Sequence, residues 1–362
     1  MAPTGPGSTG TVGPDGPARP GDGATGLVDR WGRTATDLRV SLTDRCNLRC
    51  TYCMPAEGLH WLPSPEVLTD DEVVRLVGIG VTELGVREVR FTGGEPLLRR
   101  GLEAIVGAVA ALRTADGTPP ETSLTTNGIG LARRAPALAA AGLGRVNVSV
   151  DSLDRAQFAE LTRRDRLPDV LAGVTAAAAA GLHPVKVNAV VMRGVNEDQV
   201  RPLLRWTVAE GLHLRFIEQM PLGPAHSWDR GEMVTTEEIL AELAAEFVLE
   251  PVAGRGAAPA ETWTVAGTGG DGRPAATVGI IGAVTRPFCG ACDRTRLTAD
   301  GQVRSCLFSR TETDLRALLR DGAADAEVAD AWRTAMWGKP RAHGIDDEGF
   351  RQPLRLMSAI GG

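Results

Sequence analysis

Asp37-Leu38-Arg39-Val40-Ser41-Leu42-Thr43-Asp44-Arg45-Cys46-Asn47-Leu48-Arg49-Cys50-Thr51-Tyr52-Cys53 joins an alternating apolar and polar run to three closely spaced thiols. The alternation predicts a strand over 37–42 that delivers the cysteines from its C-terminal end. Three thiols spaced C-x3-C-x2-C can converge on one metal centre and leave one position open. Two metals fit that spacing. A structural zinc needs a fourth Cys or His, and the nearest His is His60, seven residues beyond Cys53. A four-iron cluster on three thiolates instead keeps one iron free to bind a small molecule.

Outward from this stretch the chain keeps a regular beat. Thr69-x-x-Glu72 is a capping box that opens a helix to about residue 83. A strand over 86–92 follows and leads directly into Gly93-Gly94-Glu95-Pro96. Helices near 102–112, 135–141, 170–180 and 199–210 then precede strands at 123–126, 145–150, 184–191 and 212–218. Six strands alternating with helices mean parallel βαβ units. Candidate functional residues fall at or near the strands' C-terminal ends, where barrel sites form. The expected fold class is α/β, a partial (βα)6 TIM-like barrel over 27–220.

The flanks differ. Residues 1–26 are rich in Gly, Pro, Thr and Ala without apolar periodicity, and are expected to be a disordered tail. From 221 to 362 the βα beat stops. A loop over 221–231, a helix from Thr235-x-x-Glu238 to about 247, short strands at 263–265 and 277–281, and helical pieces at 312–320 and 325–336 predict an α+β extension.

The bulk numbers narrow the function classes. A formal charge of −6 argues against a general nucleic-acid or membrane-surface binder, so an anionic ligand must be met by local arginines. No run of about 18 apolar residues and no secretory leader pattern is present, which predicts a cytoplasmic protein. All six cysteines fall into two triads, Cys46/Cys50/Cys53 and Cys289/Cys292/Cys306. Odd groups suit metal clusters better than disulfides.

The second triad, C-x2-C-x13-C, again lacks a fourth Cys, and His343 is a distant candidate for zinc. An auxiliary four-iron cluster would leave another iron open. Directly after Cys292 comes Asp293-Arg294-Thr295-Arg296. Two guanidiniums two residues apart point the same way in an extended segment and make a fork for phosphate oxygens. Glycines in the Gly93-Gly94-Glu95-Pro96 segment would let the backbone approach a ligand closely.

The Cys triad with Tyr52 before its last thiol and the Gly93–Pro96 segment resemble the radical S-adenosylmethionine (SAM) enzymes. Adding the second triad, the arginine pair and the terminal Gly361-Gly362, nearly the whole chain is similar to the GTP 3',8-cyclase family of molybdenum-cofactor biosynthesis. The resemblance implies two 4Fe-4S clusters, one on Cys46, Cys50 and Cys53 that binds SAM, the other on Cys289, Cys292 and Cys306 that presents guanine. It implies SAM contacts from Tyr52, Gly94, Ser149 and Met220. It implies GTP contacts from Arg39, Arg90, Thr125, Lys186, Arg294, Thr295 and Arg296, with catalytic roles for Arg39, Arg294, Arg296, Gly361 and Gly362. Without it, Ser149 and Thr125 are ordinary strand residues, Met220 is core and Lys186 is a solvated face.

The implied reaction is reductive cleavage of SAM to a 5'-deoxyadenosyl radical, abstraction of the 3'-hydrogen of GTP, and closure of C3' onto C8. The product would pass to cyclic pyranopterin monophosphate synthase. A flavodoxin or ferredoxin-type reductant is expected, and a homodimer is compatible with the resemblance. One position departs from it: Glu88 stands where many members carry Lys, and Arg87 is aimed opposite to Arg90, which puts one phosphate contact in doubt. The alternatives are a radical SAM enzyme that modifies a peptide and a zinc-stabilised binding module.

Overall fold

Strands β1 (Asp37–Ser41), β2 (Glu88–Thr92), β3 (Glu121–Thr126), β4 (Arg145–Ser149), β5 (Val185–Val191) and β6 (His213–Glu218) pair in chain order, every pair parallel. The structure, a computed structural model, describes residues 25–224, 227–270 and 275–361. The expected tail therefore falls, from residue 1 to 24, outside the described residues.

Helices α1 (Asp70–Thr82), α2 (Leu102–Ala110), α3 (Leu131–Ala140), α4 (Arg155–Thr162), α5 (Leu167–Ala179) and α6 (Val200–Glu210) make the crossovers. Two of them, α4 and α5, lie between β4 and β5, and α4 went unread in the sequence. The capping box at Thr69 is present, with its hydroxyl accepting from the Glu72 amide and Glu72 accepting from the Thr69 amide. Period two divides each strand. In β1 and β2, Leu38, Val40, Val89 and Phe91 are fully buried in the apolar core. Arg39 and Arg90 alternate with them and face the other way.

Beyond β6 the chain adds α7 (Thr236–Ala244), β7 (Leu249–Pro251), β8 (Glu261–Val265), β9 (Thr277–Ile281), β10 (Arg294–Leu297), β11 (Gln302–Arg304) and β12 (Thr313–Asp314). It ends in α8 (Leu315–Arg320), α9 (Asp325–Trp337) and α10 (Met357–Ile360). The extension does not stand apart: β9 pairs parallel with β6, and β10 pairs parallel with β1. Eight parallel strands result, flanked by antiparallel β8 and β7 on one side and β11 and β12 on the other. The twelve-stranded sheet stays open, in the order β12-β11-β10-β1-β2-β3-β4-β5-β6-β9-β8-β7. In this register Arg294 lies beside Asp37 and Arg296 beside Arg39, which sets the second triad at the N-terminal end of β1, across from the first triad beyond its C-terminal end. Among the described residues no helix is long and apolar enough to cross a membrane.

Candidate active site

The concave face of the eight parallel strands encloses a cavity of about 250 Å³, open to solvent. Cys46, Cys50, Cys53, Tyr52, Gly93, Gly94, Ser149 and Met220 line it, as do Arg39, Arg90, Thr125, Arg294 and Arg296. At the first triad, burial pushes the thiols of Cys46 and Cys50 above their ordinary values and that of Cys53 up to about 12. Neighbouring thiols add to the shifts of Cys50 and Cys53. Cys46 Sγ accepts from the Leu48 amide at 3.4 Å and from Asn127 Nδ2 at 3.7 Å. Tyr52 donates its hydroxyl to Asp151 Oδ2 at 2.9 Å, and Asp151 also accepts the Val190 amide. Burial pushes that carboxyl up to about 6.

Gly93 and Gly94 lie against the backbone just before the first triad. The Gly94 amide donates to the Thr43 carbonyl at 2.7 Å, and Gly93 has φ +136°. A Cβ on Gly94 would overlap the carbonyl oxygens of Arg45 and Asp44. Gly94→Ala is therefore expected to destabilise the protein by about 2–3 kcal/mol, through overpacking that shifts the cysteine loop. Chemical unfolding of the iron-free protein measures it. The next residue, Glu95, is fully buried, accepts from Thr126 Oγ1, the Asn127 amide and the Leu97 amide, and is pushed up to about 7 by burial.

Positive charge fills the rest of the cavity. Burial lowers Arg39 and Arg296 to about 9, and Arg215 to about 10. All three still hold their protons at neutral pH. Asp37 is the carboxylate among them: burial would raise it, yet Arg39, Arg90, Arg294 and Arg296 hold it below its ordinary value. Buried polar atoms without a hydrogen-bond partner include Arg39 Nε, Arg90 Nε, Arg294 Nε, Asn147 Oδ1 and Asn188 Oδ1. Orphaned donors and crowded cations on one face fit a polar anionic ligand.

Comparison with known proteins agrees. Residues 40–207 match the Radical SAM superfamily model, and residues 212–345 match Molybdenum Cofactor Synthesis C. A curated protein of Corynebacterium glutamicum named GTP 3',8-cyclase is 61% identical over 346 residues, 95% of this chain and 91% of that protein. One of Streptomyces coelicolor with the same name is 62% identical over 343 residues, 94% of this chain and 98% of that protein. The chain belongs to the GTP 3',8-cyclase family. Its fold is also that of Streptococcus suis SuiB bound to S-adenosylmethionine, at TM-score 0.55 and 12% identity over 90% of this chain and 75% of that one. Members of the radical SAM superfamily use a 4Fe-4S cluster and SAM, and the GTP 3',8-cyclase family carries a second cluster.

The donor sets fit two such clusters. Cys289, Cys292 and Cys306 are half-buried, and none of the six cysteines is in a disulfide. Burial raises Cys289 and Cys306. Cys292 is also buried, but Lys339 and Arg294 hold it below its ordinary value. Among the described residues no set of three or more His, Cys, Asp or Glu side chains is gathered for a single metal ion. His343 keeps its Nδ1 as acceptor for the Ile345 amide.

Not every residue expected from the sequence of this GTP 3',8-cyclase family member reaches the cavity. Thr295 does not present its side chain there: between two inward arginines it must face outward, and its hydroxyl accepts from Trp332 Nε1 at 2.9 Å. Lys186 shares the inner face of β5 with Asn188 but lies two residues deeper, between Asn147 and His213 in register, and is not part of the lining. Glu88 accepts from Arg145 at 2.7 Å, so the position that departs from the family is occupied by an ion pair below the cavity. Arg87 is exposed and pairs with Asp116 at 3.2 Å.

The tail enters the site. The Met357 amide donates to the Leu222 carbonyl at 3.0 Å, the Ser358 amide hydrogen-bonds Cys53, and the Gly361 carbonyl accepts from Arg296. A side chain on Gly361 would overlap Ser41 and Thr92. Gly362 lies outside the described residues.

Sequence reasoning missed Arg215, Asn127 and Asp151. Arg215 lines the cavity and has no hydrogen bond or ion pair among the described residues. Its position between the buried Leu214 and Phe216 was the available signal.

Proposed function

We propose that this cavity converts GTP to 3',8-cyclo-7,8-dihydro-GTP, the first step of molybdenum-cofactor biosynthesis, with Cys46, Cys50 and Cys53 holding the SAM-binding cluster and Cys289, Cys292 and Cys306 the second. The observation that supports this is the junction of β10 with β1, which sets the second triad across from the first, next to Phe288, Arg294 and Leu307 of the arginine-walled cavity that the first triad lines. When bound, the first cluster and SAM supply a 5'-deoxyadenosyl radical able to take the 3'-hydrogen of GTP. The chain's own residues do the rest by placement.

Tyr52, Gly94, Ser149 and Met220 form the SAM side of the cavity. Arg39, Arg90, Arg294, Arg296 and the newly found Arg215 converge from four strands on the triphosphate. Thr125, held by Asn147 Nδ2 at 3.2 Å, borders the nucleoside. Met357 and Ser358 of the tail line the cavity, and Gly361, the first of the two terminal glycines, is held by Arg296. Deleting these two glycines is expected to lower cyclised product at least tenfold and leave SAM cleavage nearer wild type, as read by product analysis of both reactions.

Lys186 adds a pH dependence. Burial, followed by repulsion from Arg215, Arg145 and Arg90, pushes it down to about 7. Bound triphosphate favours the ammonium, so above pH 7 GTP binding takes up a proton. Affinity is expected to fall by up to about tenfold per pH unit above 7, and Lys186→Met to flatten the profile. Calorimetry in buffers of different ionisation enthalpy measures the proton uptake.

A flavodoxin or ferredoxin-type electron donor, cyclic pyranopterin monophosphate synthase as the consumer of the product, and a cytoplasmic location accompany this reading. Anaerobic reconstitution tests it: about eight irons per chain and GTP-dependent consumption of SAM are expected. SAM cleavage indifferent to GTP would overturn it.

A further inference from the structure

The two triads sit in opposite electrostatic surroundings. Near the first are two buried carboxyls. Asp151 takes the Tyr52 hydroxyl, and Glu95 takes the amide of Asn127, whose side chain reaches Cys46. Near the second are cations. Arg294 Nη1 faces Cys292 Sγ at 3.8 Å. Behind it Lys339, only 2% exposed, donates to the Arg294 carbonyl at 2.8 Å and the Cys292 carbonyl at 3.2 Å, and its ammonium also reaches the Cys292 thiol.

Lys339 has no carboxylate partner among the described residues, although a buried ammonium without a counter-ion is strongly disfavoured. The anions within its reach are the thiolates of the second triad. We propose that Lys339 is the fixed counter-ion of the second cluster, favouring its reduced, more negative state and so holding its reduction potential above that of the first. Lys339 is a positioning residue: it touches neither GTP nor SAM, and acts through Cys292 and the backbone of Arg294. The inference rests on the assignment of Cys289, Cys292 and Cys306 as cluster ligands.

The test is a potentiometric titration of the reconstituted full chain with dithionite, followed by electron paramagnetic resonance. Addition of SAM identifies the first cluster by perturbing its signal, so the unperturbed signal reports the second. Lys339→Gln keeps hydrogen-bond donors without the charge, Lys339→Met removes both, and Lys339→Arg keeps the charge. The first two are expected to shift the one-electron reduction equilibrium of the second cluster at least about tenfold toward the oxidised form, about 59 mV. Lys339→Arg and the first cluster should stay near wild type. Loss of about half the iron in Lys339→Gln with full iron in Lys339→Arg also supports the proposal, because charge then holds the cluster. Potentials unchanged in Lys339→Gln at full iron content would overturn it and leave Lys339 a structural strap. Wild-type protein without iron at the second triad would instead overturn the ligand assignment, and the proposal with it.

Discussion

Arg296→Ala is expected to lower kcat/KM for GTP by about two orders of magnitude, about 3 kcal/mol, while the chain keeps its full iron. Arg296 is buried on β10, lines the cavity, and lies beside Arg39 in register. Among the described residues its guanidinium hydrogen-bonds the Gly361 carbonyl, so the variant loses a triphosphate contact and the anchor of the tail together. Arg294→Ala is a less clean probe. That guanidinium also donates to the Ala257 carbonyl at 2.6 Å, stacks 4.8 Å from the Phe288 ring centroid and faces Cys292. Its loss disturbs the second triad as well as the nucleotide. Arg296→Lys should recover only part of the activity, because an ammonium cannot make the forked contact of a guanidinium. Steady-state kinetics with iron determination separates these outcomes.

Cys50→Ala is expected to abolish SAM cleavage, by at least a thousandfold, and to leave about four irons per chain on the second triad. Three thiolates are the minimum that holds a four-iron cluster while one iron stays open. Cys50 is also the central member of the loop: its carbonyl accepts from the amides of Cys53 and Met54. Since β1 and its helices pack through Leu38, Val40, Leu76 and Val77, none of which touches the thiol's role, the fold should survive. Retention of about eight irons would show that the first triad does not bind its cluster through Cys50.

Much of this was legible in the sequence because period two and period 3.6 are strong where one face is apolar. The six inner strands and the capping boxes at Thr69 and Thr235 followed from those patterns and stand in the structure. Both cysteine triads were visible from spacing alone. Less was visible in the extension. The joining of β9 to β6 and β10 to β1 is a long-range pairing that no local pattern encodes. Thr295 shows the cost of naming a run rather than a face: alternation turns its hydroxyl to Trp332 while its neighbours turn to the cavity. Lys186 was expected from the resemblance to contact GTP, and the strand register sets it two residues deeper than Asn188, outside the cavity lining. Glu88 was read as a missing phosphate contact, and its partner Arg145 came into view only with the strand pairing that sets Glu88, Glu121 and Arg145 together. Asp151 belongs to no sequence motif, and only the fold buries it and gives it the Tyr52 hydroxyl.

In this mechanism GTP lies in the cavity lined by the first triad, with the second triad across from it, in the path of the radical made from SAM. The most direct measurement is mass spectrometry of 5'-deoxyadenosine formed by the reconstituted protein from GTP deuterated at C3'. The account predicts deuterium in the 5'-deoxyadenosine together with a cyclised nucleotide that lacks it. Unlabelled 5'-deoxyadenosine, formed at the same rate with and without GTP, would contradict it.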